Sequence, residues 1–325
     1  MRRALARVGS RAPARGAAGA RPPGPGRPIP ITPSFLRRWP LPVPDGARGK
    51  DGRGGVCIVG GCVQVPGAVL LASVAALRAG AGRLQIATVR DVAAAIGMAL
   101  PEARVVGLRQ RRDGELDAAG CREAITKIAG HDAVLIGPGM GPETGGAARA
   151  LVRGWRAQPE PRTVILDAGA LLALTRERFH SGATEGSVIV TPHAGEMARI
   201  CDVDVAEVRR RPLELAREVA ARLGVVVVMK GEVTFVVGPT GRAFVNEMGS
   251  PGLGTSGSGD VLAGVIAGLC ARGASAEQSA VWAVHLHAQA GQRLSRRIGR
   301  PDAIGFLARE LPGEVPEVMA RLAGR

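Results

Sequence analysis

The chain has 325 residues, 46% of them hydrophobic and 22% charged, with a formal net charge of +15. That apolar share excludes disorder throughout. No apolar run is long enough for a transmembrane helix, and the absence of tyrosine excludes phenolic acid–base chemistry. The basicity is lopsided. Residues 1–54 hold eleven Arg and one Lys against Asp45 and Asp51, a balance of +10 that leaves only +5 for the rest. The charge is therefore a property of the tail and does not identify a partner for the fold.

Residues 1–45 are rich in Arg, Pro, Gly and Ala and cannot bury a core, so they are expected to form a basic disordered extension. The structured domain is placed at 46–325. The Arg-rich start resembles a transit peptide but lacks the apolar stretch of a secretory signal, and a dispensable extension is the simpler expectation. A chain starting near Thr32 is expected to keep full turnover.

From Gly55 onward, short β-rich runs alternate with stretches of helical period. GVCIV (55–59) is predicted as a strand, followed by a helix over Ala68–Ala79. LQIATV (84–89) is a strand, after which Asp91 is expected to cap a short helix. DAVLIG (132–137), TVILDA (163–168) and SVIVTP (187–192) are further strands with helices between them. VVVVM (225–229) leads into TFVV and RAFVN, which pair as a hairpin across Gly238–Gly241. Helices fill Asp260–Arg272, Ala276–Leu294 and the chain end. The pattern predicts an α/β fold with a mostly parallel sheet covered on both faces, and ligands beyond the carboxyl ends of its strands.

Five scattered cysteines without a C-x-x-C pair fit reduced thiols in a cytoplasmic protein. His285 and His287 are the only closely spaced histidines and lack Cys partners, which argues against zinc. Two apart on a helix, they face different directions, and at least one belongs to the core.

The segment GLGTSGSGDVLAGVIAGLCARG (252–273) carries the strongest chemical signal. A Gly/Ser/Thr loop enters an apolar helix, so free backbone N–H groups and the helix dipole face one point that suits phosphate. Gly257 and Gly259 allow close approach, and Asp260 follows as either a site carboxylate or a plain N-terminal charge. The lysine of a Walker loop is missing. In VVVVMKGEVTFVV, Lys230 ends a wholly apolar strand in a chain with only three lysines. TPH at 191–193 ends another strand, with Gly195 and Glu196 at a helix start. IGPGMG (136–141) has Pro142 next and does not match a dinucleotide fingerprint. Asp167, in DAGAL, is a helix cap or a site carboxylate.

Taken in order, GG-x₄-PGA, AALRAGAG, PEA, IGPG, LDAGAL, TPH-x-GE-x-x-R, KG-x-x-T and G-x-GSGDVLAG-x-I-x-GL resemble the NAD(P)H-hydrate dehydratase family over roughly residues 50–312. The resemblance implies a ribokinase-like, three-layer α/β/α fold. It implies repair of NADH or NADPH hydrated at C6, by phosphoryl transfer to the C6 hydroxyl and loss of phosphate. The co-substrate would be ADP (or ATP), with Mg²⁺ bridging its phosphate oxygens. By carry-over, Asp260 is the catalytic base, and Ala68, Gly139, His193 and Asp260 contact the hydrated dinucleotide. Lys230, Gly231, Glu232, Val233, Thr234, Gly257, Ser258 and Gly259 hold the nucleotide. A homo-oligomer, a tetramer, is implied, without nucleic acid or membrane partners. The epimerase domain fused to some relatives is not expected within residues 1–45.

Ser256, Gly254, Cys62 and Val65 depart from the usual family residues, but none of these replaces a charged catalytic group. Two other readings compete. A small-molecule alcohol kinase of the same fold would use the same loop and Asp260. A basic nucleic-acid-binding protein would rest on the tail alone and lacks interleaved aromatics.

Overall fold

A computed structural model describes residues 26–43, 49–141, 144–157, 162–175 and 187–322. Its apolar runs form one ten-stranded sheet: β1 (Ile29–Pro30), β2 (Gly55–Val59), β3 (Arg83–Val89), β4 (Arg104–Leu108), β5 (Ala133–Ile136), β6 (Thr163–Leu166), β7 (Val188–Val190), β8 (Val226–Met229), β9 (Thr234–Val237) and β10 (Ala243–Asn246). Their spatial order is β1-β10-β9-β8-β7-β6-β5-β2-β3-β4. Every neighbouring pair is parallel except those made by β9, which runs against both β8 and β10. β2, β5 and β8 are buried on both faces, which is why they read as unbroken apolar runs. The strand order reverses between β2 and β5, the kind of switch point where open α/β sheets bind ligands.

Helices cover both faces. Between strands lie α2 (Gly67–Arg78), α3 (Arg90–Ala99), α4 (Ala118–Ile128), α5 (Gly145–Arg156), α6 (Ala194–Cys201), α7 (Val205–Arg210) and α8 (Pro212–Leu223). The chain then continues through α9 (Ser258–Ala271), α10 (Ala276–Ile298) and α11 (Leu311–Leu322). One core joins Val56, Ile58 and Ile86 to α2, α9, α10 and α11. The other joins Cys57, Val59 and Val134 to α4, α5 and α8. Alternate residues of β2 thus serve opposite layers, as the period-2 pleat requires. This three-layer α/β/α arrangement is the expected one.

Helix α9 is buried along nearly its whole length and lies against α2. Close contact depends on two glycines: a Cβ on Gly264 would overlap the Ala72 carbonyl, and one on Gly268 would overlap that of Ala76. The matching four-residue steps on both helices make the pair parallel and bring their amino termini side by side.

Three expectations need correction. Residues 26–43 are not a disordered extension; residues 1–25 and 44–45 of that stretch lie outside the described residues. Ile29 and Pro30 pair with Phe244 and Val245, which covers the edge of β10. Thr32 caps the helix α1 (Pro33–Arg38), whose Leu36 is fully buried. Phe35, Trp39 and Phe244 form a ring cluster with centroids 5.7–5.9 Å apart, and the Arg242 guanidinium lies over it. Gln278 and Trp282 donate to the Trp39 carbonyl at 3.2 and 2.9 Å. These few apolar residues were hidden in a composition dominated by Pro and Arg.

Asp91, secondly, is not a cap. It lies within the first turn of α3, and its carboxylate accepts from Gln110 Nε2 at 2.6 Å. Strand β4, thirdly, went unpredicted, because it is a half-buried edge without a clean apolar run.

Two outcomes follow from this packing. Leu36→Ala should destabilise the protein by about 2–5 kcal/mol, as loss of a buried leucine does; an unchanged denaturation midpoint would mean that the segment is undocked in solution. Gly264→Ala should cost about 1–3 kcal/mol by overpacking and also lower activity by displacing the start of α9, measured by melting and turnover together.

Candidate active site

The residues singled out from the sequence gather along one edge of the sheet, beyond the carboxyl ends of β2, β5, β6, β7 and β8. At the switch point, the turns after β2 and β5 interlock: Gly61 N donates to the Pro138 carbonyl at 2.7 Å. Gly139 has φ +69°, and a Cβ there would meet Val65 O at 2.6 Å and Ala68 Cβ at 3.1 Å. Ala68 opens α2, and Asp260 lies in the first turn of the adjacent α9. Together with Cys62, Glu115 and Gly139, these two residues line a cavity of about 540 Å³. A second cavity of about 340 Å³ adjoins it across Met140 and Ala168, and is lined by His193, Glu196 and Arg199. Ala168, at φ +47°, is one of two non-glycine residues in the left-handed region among those described, and this strained turn separates the cavities.

Lys230 ties the edge together. Its backbone N–H donates to the Pro192 carbonyl at 2.8 Å, which joins the ends of β7 and β8. Its Nζ lies 3.0 Å from Asp167 Oδ1 and 3.8 Å from Glu196 Oε2. A Cβ added to Gly259 would meet that same ammonium at 3.4 Å, so the lysine charge stands at the amino terminus of α9. Lys230 is therefore a paired group inside the site, not a solvated surface charge. Asp167 is almost fully buried and accepts a second bond from Thr191 Oγ1 at 2.6 Å. Of the two roles left open for Asp167, the helix cap is excluded, since its side chain caps no helix and is held by Lys230 and Thr191.

Three carboxylates thus face one ammonium. Burial pushes the Asp260 carboxyl up to about 7, the charge on Asp167 adds to the rise, and Lys230 opposes it. The helix dipole and the amides at the start of α9 favour the ionised form of this acid. Desolvation outweighs them because the group is not in an open surface loop. The Lys230 ammonium is held above its usual range, since Asp167 and Glu196 outweigh its own desolvation.

His193 has a structural task. Its Nδ1 accepts from the backbone N–H groups of Gly195 and Glu196 at 3.0 and 3.3 Å, while the Glu196 carboxylate accepts from His193 N at 2.8 Å. This capping box starts α6, and Nε2, on an exposed side chain, lies 3.5 Å from Glu196 Oε1. Gly231, Glu232 and Val233 form the exposed turn between β8 and β9, with Thr234 at the start of β9. Gly257, at φ +87°, caps α9. Ser258 is buried, and both its Oγ and its carbonyl lie 3.0 Å from His287 Nε2. Burial holds His287 near 4, so it buttresses α9 as a neutral ring. His285 is fully buried and His287 half-buried, so at least one of the two belongs to the core, as the sequence implies.

Sequence reasoning brought Asp167, Glu196, Lys230 and Asp260 to notice one by one. It gave Thr191 no role of its own within TPH, and it missed Glu115 and the His287–Ser258 contact. Only strand order brings Thr191 and Asp167 together, and no local pattern marks Glu115.

The raised Asp260 carboxyl gives stability a pH signature. An unfolded Asp titrates near ~3.9, so between that value and about 7 the native state binds the extra proton. Stability therefore falls as pH rises through this window. Asp260→Asn should gain relative to the native protein as pH is raised from 5 to 8, read as the difference in melting temperature. A pH-independent difference would show that this acid is not raised.

Residues 56–312 match the family model described as NAD(P)H-hydrate dehydratase. An ADP-dependent (S)-NAD(P)H-hydrate dehydratase from Xanthomonas campestris is 47% identical over 293 residues, 90% of this chain and 96% of its own length. The crystal structure of the ADP/ATP-dependent NAD(P)H-hydrate dehydratase from Bacillus subtilis, co-crystallised with ATP and Mg²⁺, superposes with a TM-score of 0.75 at 32% identity. It covers 90% of this chain and 98% of that one. A ribokinase-like superfamily protein from Enterococcus faecalis gives a TM-score of 0.76 at 26% identity, covering 91% and 97%. With the motifs in order along a ribokinase-like sheet, this chain belongs to the NAD(P)H-hydrate dehydratase family.

Proposed function

We propose that this protein converts the S form of 6-hydroxylated NADH or NADPH back to the reduced dinucleotide, at the cost of ADP, as a nucleotide-repair lyase. The observation that carries this reading is the position of Asp260. An acid raised to about 7 lies in the first turn of α9, beside Lys230 and in the wall of a cavity of about 540 Å³. A base poised near neutral pH thus adjoins a phosphate-attracting helix end, the pairing that phosphorylation of an alcohol needs.

In this reading the hydrated ring occupies the cavity between Ala68, Gly139 and Asp260, and His193 bounds the adjoining one. Asp260 takes the proton of the C6 hydroxyl as its oxygen attacks the terminal phosphoryl group of ADP, and AMP departs. Loss of phosphate from C6 and of a proton from C5 then restores the ring double bond. The Gly257, Ser258 and Gly259 amides and the Lys230 ammonium stabilise charge on the moving phosphoryl group. The turn from Gly231 through Thr234 bounds the nucleotide. Asp167 and Thr191 hold Lys230 in place.

Among the described residues no group of three or more His, Cys, Asp and Glu side chains forms a metal cage. Mg²⁺ therefore fits as a companion of the nucleotide phosphates, with Glu196 and Asp260 as the carboxylates able to take its water ligands. When bound, it would neutralise charge on the phosphate oxygens. The reading also places the enzyme in the cytoplasm as a homo-oligomer, a tetramer, testable by light scattering. No helix among the described residues is long and apolar enough to cross a membrane.

The deciding assay is recovery of reduced-nicotinamide absorbance from the hydrate, with ADP and ATP compared. Failure with both would leave the plain alcohol kinase as the better reading. Asp260→Asn should cut turnover by about 10²–10⁴ while ADP affinity, measured by calorimetry, changes little. The pH profile of kcat/KM should lose activity below about 7, where Asp260 is protonated. Asp167→Asn should move that limb to lower pH by removing a like charge. His193→Ala should cost about 0.5–2 kcal/mol of stability through the lost cap and raise KM for the hydrate more than it lowers kcat.

A further inference from the structure

The cavity beside Asp260 holds a second carboxylate that the proposed chemistry leaves unused. Glu115 sits at the end of a tight turn beyond β4, where Arg111 N donates to the Glu115 carbonyl at 2.7 Å and Glu115 N donates to Asp113 Oδ1 at 3.2 Å. Val63 N and Gln64 Nε2 donate to the carbonyls of Gly114 and Asp113, so this turn is fastened to the one that leads into α2. The side chain is held as well, with Glu115 Oε1 accepting from Gly141 N at 3.1 Å. The approach requires a glycine at 141, where a Cβ would lie 2.5 Å from that oxygen.

The other oxygen, Oε2, is buried and, among the described residues, has no hydrogen-bond partner at bonding distance, although the Cys62 thiol, a weak donor, stands beside the carboxylate. A buried carboxylate oxygen without a strong donor is costly, and here it belongs to a residue that lines the same cavity as Ala68, Gly139 and Asp260. A thiol is a weak donor, so a strong donor to this oxygen is left to whatever fills the cavity. A phosphate group cannot serve, because it presents acceptors to an acceptor. A hydroxyl or an amide N–H can.

We infer that Glu115 is a substrate-recognition residue, whose Oε2 accepts a hydrogen bond from a neutral donor of the hydrated dinucleotide, a ribose hydroxyl or the carboxamide N–H. The inference rests on the dehydratase reading and adds a second point of attachment to it. Asp260 takes the reacting hydroxyl, and Glu115 fixes the orientation of the ring that carries it. A bond present in both ground and transition states governs KM more than kcat.

Glu115→Gln tests this, because the amide oxygen can still accept from Gly141 while the carboxylate acceptor is lost. With the hydrate as varied substrate, KM should rise about 10- to 100-fold, the range for a hydrogen bond to a charged group. Turnover at saturation should stay within a few fold, and ADP affinity and melting temperature should not move. Repeating the comparison with the hydrate of the acetylpyridine analogue, which lacks the carboxamide N–H, separates the two donors. A difference that vanishes identifies the carboxamide, and one that persists identifies a ribose hydroxyl. An unchanged KM, or a loss confined to kcat or to ADP binding, overturns the inference while the wild-type enzyme still consumes the hydrate. A wild-type enzyme inactive on the hydrate removes the dehydratase reading, and this inference with it.

Discussion

The contact between α2 and α9 is the constraint on which the site depends. Gly264 and Gly268 let the two backbones approach until Cβ atoms would no longer fit between them. Because the helices run parallel, the same contact sets their amino termini at one height above the sheet. Ala68 and Asp260 then face a common cavity. A wider separation, as ordinary side chains would impose, would move Asp260 away from the cavity wall opposite it. The apolar burial of α9 thus does more than stabilise the fold. It sets the position of the Asp260 carboxylate, the proposed base, to within the tolerance of close packing.

Electrostatics at this edge follow from a shortage of positive charge. Lys230 is the ammonium around which Asp167, Glu196 and Asp260 are placed, and it lies nearest to Asp167. Asp167 also receives the Thr191 hydroxyl, so its ionised form is well supported. Asp260 has burial without comparable compensation, and its proton affinity rises. Two similar acids therefore differ in their surroundings: Asp167 anchors a cation, and Asp260 has a proton affinity raised to near neutral pH, as the proposed base requires. The amino end of α9 adds fixed positive potential where a phosphoryl group would arrive.

The segment before β2 has a different value. Its short strand shields β10, and Leu36, Phe35 and Trp39 close the core over Phe244 and α10. That contact supports the β9–β10 hairpin, which leads directly into the loop before α9. The site and the amino-terminal segment are thus joined through packing, although no residue of 26–43 lines either of the two cavities beside Asp260.

The sequence by itself determined much of this protein. Unbroken apolar runs such as VVVVM and GVCIV specified buried parallel strands, because a strand covered on both faces has no polar side to show. The Gly/Ser loop entering α9 specified a helix amino terminus open to phosphate, since that chemistry belongs to the backbone and is local. The ordered motifs specified the family. Only the tertiary structure decided the rest. Whether Asp167 caps a helix or holds Lys230 depends on three strands lying side by side, and sequence spacing does not encode their order. The high proton affinity of Asp260 arises from burial and from neighbours 64 and 93 positions away. The place of Glu115 in the cavity wall depends on a turn from the far side of the switch point reaching Gly141. The docking of residues 26–43 depends on a groove that exists only once Phe244 and α10 are in place. Composition reports what a segment can bury by itself; it does not report the surface that the rest of the chain offers to it.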